Sequence, residues 1–263
     1  MNSSPSSEHR HGPAVTTGRQ IVPETFRSES AIIAIQSHPR FREAVALQIS
    51  CLRRIYLRNR LLNRVLNDRG RFMAAMAAMY LHYFAGTDDD SSGLTPSRFQ
   101  ATCVEQGICS AGRARALLAQ MRLVGYLELA PGGTDRRRRR LLPTAAFIAL
   151  HQERWECHLR ALALLKTEMQ QVLEVCNDPK FMECYLRRLG ADYLKGHRIL
   201  HQVPEMASFA ETNSGLLLVS SLFVAEPTED SAAASISISA LAAQFGVARA
   251  HARKIVVQAE AVT

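Results

Sequence analysis

The thirty-one residues from Ser110 to Arg140, SAGRARALLAQMRLVGYLELAPGGTDRRRRR, constrain the fold more than any other part of the chain. The first half spells a short amphipathic helix whose leading turns carry Ser110, Arg113 and Arg115. Gly125 breaks it, and Tyr126-Leu127-Glu128-Leu129 reads as a strand. Pro131-Gly132-Gly133 makes a tight turn, and five arginines follow: Arg136, Arg137, Arg138, Arg139 and Arg140. Helix, strand, glycine turn and basic strand are the parts of a winged helix. In that fold a helix enters the major groove of DNA and a basic hairpin lies on the neighbouring backbone or minor groove. A solvated charge run beside an ordinary helix is the plainer alternative. The place of the run, directly after a helix and a turn, favours nucleic acid.

The residues upstream complete the pattern. Thr95-Pro96 opens a helix, with threonine as N-cap and proline in the first turn. It runs through Phe99 and Val104 to Gly107, Ile108-Cys109 forms the turn, and Ser110 caps the next helix. Helix, short turn, capped helix is a helix-turn-helix. A second unit of this kind is expected near the C-terminus, in SISISALAAQFGVARAHARKIVVQAE, after an apolar helix from Asn213 to Ala225 and a loop from Thr228 to Ala234. Leu241, Ala242, Phe245, Gly246, Val247, Ala252 and Ile255 fall where such a unit needs them. Ala242 is small enough for two helices to approach, and Gly246 tolerates the positive φ of the turn. Arg249, His251, Arg253 and Lys254 occupy the outward positions of its second helix. No residues follow for a strand and turn, so this unit is read as wingless, or the chain as a shortened form of a longer protein.

The expected architecture is mainly α: a winged helix-turn-helix with long flanking helices and a second, wingless helix-turn-helix. Residues 1–28, rich in Ser, Pro, Gly and charge, read as a disordered tail. Residues 29–175 read as a helical region containing the winged helix-turn-helix, and 176–263 as a helical linker with the C-terminal unit. Within the first region the apolar spacing predicts a helix from Phe41 to Asn67, broken by Asp68-Arg69-Gly70, and a Met- and Ala-rich helix from Arg71 to Ala85. After the basic strand, Leu142-Pro143-Thr144 starts a helix reaching Val175. Asn177-Asp178-Pro179 breaks it, and a helix from Lys180 to Leu194 follows.

Composition supports this assignment. An apolar fraction of 47% permits a core across 263 residues. Lys and Arg total 32 against 24 acids, a formal charge of +8, with arginine far in excess of lysine. Guanidinium groups suit bidentate contacts to phosphate and guanine. No apolar run is long enough to span a membrane, and the N-terminus lacks the apolar stretch of a secretory signal. Six cysteines without regular spacing fit a reducing cytosol rather than a disulfide scaffold.

Residues 71–165 resemble the winged-helix regulators of the multiple-antibiotic-resistance repressor type, the MarR family. The matching pieces are RFMAAMAAMYLHYFA, the pair LTPSRFQATCVEQG and SAGRARALLAQMRLVGYLE, and GGTDRRRRRLLPTAAFIAL. The resemblance implies that Asp135, Arg136 and Arg137 stand where the family fixes its hairpin tip and reaches DNA. The glycine usual shortly after the threonine of the following helix is replaced here by Ala145-Ala146-Phe147. The second helix-turn-helix departs from the family's single-domain pattern, which leaves two arrangements: a homodimer, or an internal pseudo-dimer within one chain.

Other chemistry is weakly supported. Cys184, His197 and His201 have a finger-like spacing, but seven residues separate Cys176 from Cys184 where two to four are expected for zinc. Cys103 and Cys109 flank the first turn and read either as a redox switch or, more simply, as small buried thiols. No phosphate-binding glycine loop, nucleophile triad or paired carboxylates stand out, so no enzyme, cofactor or metal is expected. The sequence therefore predicts a DNA-binding transcription regulator acting on double-stranded DNA in the cytoplasm. A plasmid or phage replication initiator with tandem winged helices, and a protein-interaction scaffold, are the alternatives.

Overall fold

The structure, a computed structural model, describes residues 29–59, 65–84, 93–131, 140–225 and 237–261. The expected N-terminal tail, and the wing tip with Arg136 to Arg139, lie outside these residues. The described chain is mainly helical, with one two-stranded sheet. Two helices open it, α1 (Glu29–Gln36) and α2 (Phe41–Arg58), and α3 (Arg69–Tyr83) follows. Helices α4 (Pro96–Glu105) and α5 (Ala111–Leu123) lead into strands β1 (Leu127–Leu129) and β2 (Leu141–Pro143). Then come α6 (Ala145–Ala163), α7 (Met169–Val175), α8 (Pro179–Leu194), two short 3-10 turns and the single turn α9 (Ala207–Ala210). The C-terminal part comprises α10 (Gly215–Ala225), α11 (Ile238–Phe245) and α12 (Arg249–Glu260).

Local signals in the sequence set six of the twelve described helix starts. Asp68, Thr95, Ser110, Thr144, Asp178 and Ser237 each accept a hydrogen bond from a backbone N–H in the first turn of the helix they precede. Each satisfies one of the amides that a helix start leaves unpaired. Gly246 ends α11 in the left-handed region at φ 63°, as its place in the turn predicts.

Two predicted helices are shorter than expected. The helix from Phe41 ends at Arg58 rather than Asn67, where Asn59, at φ −123° and ψ 88°, leaves the helical backbone. Val65 and Leu66 are buried in the core, and the Tyr56 hydroxyl donates to the Leu66 carbonyl at 3.1 Å. The helix from Thr144 stops at Ala163, and α7 is a separate piece.

The main core lies where α2 and α6 pack together and where α3 meets α4, α5 and α8. Phe99, Phe147, Met79 and Met121 are wholly enclosed there. Tyr126 stacks on Phe147 with ring centres 5.0 Å apart, pinning the start of the hairpin to α6. The strands are antiparallel, with Leu127 opposite Pro143 and Leu129 opposite Leu141. The Leu141 amide also donates to the Leu94 carbonyl at 2.8 Å, tying the hairpin to the residues that precede α4. A second cluster, Phe209, Leu218, Leu241, Ala242, Phe245, Ala252 and Ile255, holds α10 to α12 together. This unit rests on α2 through α10, and Arg53 donates to the Gln244 side chain at 3.2 Å.

The expectation that the cysteines are free is corrected for one pair. Cys51 on α2 and Cys157 on α6 form a disulfide, with Cα atoms 5.7 Å apart and 106 residues between them in sequence. Spacing along the chain carries no information about a pair formed by two distant helices packing. No helix among the described residues is long and apolar enough to cross a membrane.

Candidate nucleic-acid interface

Helix α5 shows two unlike faces. Ala114, Leu117, Leu118 and Met121 are buried against the core, at the three- and four-residue steps of an amphipathic helix. The outward face carries Ala111, Gly112, Arg113, Arg115, Ala116, Ala119, Arg122 and Leu123. Apart from Leu123 it is small and basic, so another molecule can come close to the backbone. The first turn holds no acidic residue, which leaves the positive end of the helix dipole facing outward.

Ser110, Arg113 and Arg115 therefore fall on one exposed region, but their side chains have different partners. The Ser110 hydroxyl caps α5 by accepting from the Arg113 amide at 3.4 Å. The Arg113 guanidinium reaches back to the Asp68 carboxylate at 3.4 Å. Asp68 also accepts from the Arg71 backbone N–H at 2.8 Å and lies 3.4 Å from the Arg71 guanidinium. One nearly buried carboxylate thus ties the start of α5 to the start of α3. Sequence reasoning read Asp68 only as part of a helix break. Its N-cap pattern was legible, but its pairing with Arg113, 45 residues away, was not.

Arg140 stands at the base of the hairpin, where its carbonyl accepts from the Ala130 amide at 3.0 Å. Its side chain is half-buried, with Nε enclosed and unpartnered. It lies close enough to His82 for its charge, after burial, to help hold that imidazole below its ordinary pKa. Arg140 is thus turned toward α3. On α12, Arg249, Arg253 and Lys254 are exposed. His251 is engaged in packing, with Nε2 2.9 Å from the Asn213 carbonyl oxygen.

The residues weighed for other chemistry are separated or inert. Cys103 is buried and contacts Cys109, and burial pushes its thiol up to about 12, where thiolate is scarce at neutral pH. Cys176 is buried and Cys184 exposed, while His197 and His201 stand together in the wall of a cavity. Among the described residues no three His, Cys, Asp or Glu side chains form a group able to hold a metal ion. His151 is wholly enclosed against the edge of Phe147, with neither ring nitrogen partnered, and burial lowers its pKa to about 3.

Comparison of the chain with known protein families, with curated proteins and with solved structures finds no match.

Proposed function

We propose that α3, α4, α5 and the β1–β2 hairpin form a winged helix that binds duplex DNA, and that the protein is a transcription regulator. The observation that carries this reading is the outward face of α5. It is small, basic and free of acids in its first turn, on a helix whose other face is locked into the core. Such a helix can enter a major groove with its first turns toward the bases. The hairpin follows directly, and the arginine run joins its two strands, so those guanidiniums belong near the flanking phosphates. Arg113 is held by Asp68 and is exchangeable, since a phosphate or guanine can compete for a half-exposed guanidinium. The α10–α12 unit, with Arg249, Arg253 and Lys254, is the second head of an internal pseudo-dimer in this proposal. The likeness to MarR regulators belongs to the same proposal.

Leu123, 88% exposed, and Val104, 50% exposed, favour a second reading, a protein-interaction scaffold. Salt dependence separates the two. Fluorescence anisotropy with random and genome-derived duplexes at several salt concentrations is expected to show affinity that falls as salt rises. Changing Arg136 and Arg138 to alanine should flatten the log–log slope by about 0.9 for each phosphate that is no longer neutralised, while Arg140→Ala, at a side chain turned toward α3, should not. Arg113→Ala is expected to weaken a preferred site by about 1–3 kcal/mol and random DNA much less. Binding without salt dependence, or no binding, would leave the scaffold reading.

A further inference from the structure

One peptide unit links α12 to the corner of the fold that holds α5. The peptide between Asn213 and Ser214 donates its N–H to the Asn67 carbonyl at 2.7 Å. Its own carbonyl oxygen lies 2.9 Å from Nε2 of His251, in the first turn of α12. A trans peptide is planar, with N–H and C=O pointing opposite ways. This one therefore faces α12 with one end and the connection between α2 and α3 with the other. Asn67 is followed by Asp68, which holds the guanidinium of Arg113, in the first turn of α5. Arg69 pairs with Glu211 beside them, so the corner is tied twice.

The corner is held at a cost. Among the described residues, Ser214 is the only non-glycine residue with a positive φ, 56°. A side chain disfavours that left-handed backbone. Ser214 is also buried, and its hydroxyl is enclosed without a hydrogen-bond partner. Such groups are costly and uncommon. The chain is crowded just beyond it, since a Cβ on Gly215 would sit 2.1 Å from Thr212 Oγ1 and 2.2 Å from the Phe209 carbonyl oxygen. The φ of Ser214 sets the plane of the 213–214 peptide, so the strained torsion is the one that aims both of its polar ends. Strain of this kind persists where the surroundings over-determine it, and it points to a positional role.

We propose that this corner fixes α5 and α12 in one register, with Ser214 as the positioning residue, so that a single duplex engages both helices at once. The engagement of a duplex rests on the DNA-binding reading, and the fixed register does not. Heads held in register gain affinity because the second contact is made within one complex and without further ordering. Arg249, Arg253 and Lys254, exposed on α12, supply that second contact.

Register is read without DNA, by electron–electron double resonance on the full chain between nitroxides at Ala116 and Ala250, both exposed. The labels are carried on a ketone-bearing unnatural amino acid, which leaves the cysteines untouched. The chain with Ser214 and the variant Ser214→Ala are expected to give one narrow distance. Ser214→Gly frees φ and should broaden that distance while raising Tm by about 2–8 °C. A serine that only fills space would raise Tm on this change without broadening the distance. On a duplex of about four helical turns, about 40 base pairs, Ser214→Gly should weaken binding by about three- to tenfold. That loss should vanish when Arg249, Arg253 and Lys254 are all changed to alanine, because a single head has nothing to be in register with. A broad or split distance in the unaltered protein, an unchanged width in Ser214→Gly, or a lower Tm in that variant overturns the register. A loss that persists without the α12 cations overturns simultaneous engagement. No duplex binding at all overturns the engagement together with the DNA-binding reading, while a narrow distance still supports the register.

Discussion

Replacing Asp68 separates two roles that the structure assigns to one carboxylate. Its side chain caps α3 by accepting from the Arg71 amide, and it holds the guanidiniums of Arg71 and Arg113. Losing an N-cap costs about 0.5–2 kcal/mol. The ion pairs add less, because the Arg71 and Arg113 side chains are 28% and 52% exposed and water screens them. Pairs of this kind are worth about 0–1 kcal/mol. Asp68→Ala removes both contributions and is expected to cost about 1–3 kcal/mol. Asp68→Asn keeps a capping oxygen and loses only the charge, so it should cost under about 1 kcal/mol. For a chain of this size each kcal/mol moves Tm by about 2–4 °C, so thermal unfolding resolves the two variants. Both variants also free Arg113 beside the outward face of α5. If DNA is the partner, Asp68→Asn should bind more tightly at low salt. The log–log salt slope should steepen by about 0.9 for each freed guanidinium that reaches a phosphate. Equal destabilisation by asparagine and alanine would refute the capping role. A slope identical to that of the unaltered protein in both Asp68→Asn and Arg113→Ala would refute a phosphate role for Arg113.

Two further outcomes test the frame around this site. Gly246→Ala should destabilise the α10–α12 unit by about 1–2 kcal/mol, from the left-handed backbone alone, since an added Cβ meets nothing within 4 Å. Denaturant unfolding would show no loss if that conformation were dispensable. Acid should weaken the fold through His151 and His158, which the folded chain holds neutral with pKa values lowered to about 3 and about 4. Against about 6.5 in the unfolded chain, their contribution is complete above about pH 6.5. It declines as pH falls toward those values, by up to about 1.4 kcal/mol per pH unit for each histidine. His151→Leu should flatten this pH dependence by one proton's worth, and an unchanged slope would show that His151 is not held neutral.

Short-range features of the chain settled half of the helix starts, the turn at Gly246 and the apolar stripes of α5, α11 and α12. A cap, a positive φ and an amphipathic stripe depend on residues within about one or two helical turns of each other. For that reason Thr95 and Ser110 could be assigned as caps, and Leu241, Phe245 and Ile255 as inward residues, before any packing was known. Tertiary packing alone decided which side chains meet. It placed Arg113 on Asp68, turned Arg140 toward His82, engaged His251 with the Asn213 carbonyl and brought Cys51 to Cys157. It also left a cavity between α3, α8 and residues 197–211, whose wall residues are spread over more than a hundred positions of the chain. Periodicity tells which side of a helix avoids water, but not which other helix covers it. That choice depends on ridges, volumes and charges brought together from distant parts of the sequence.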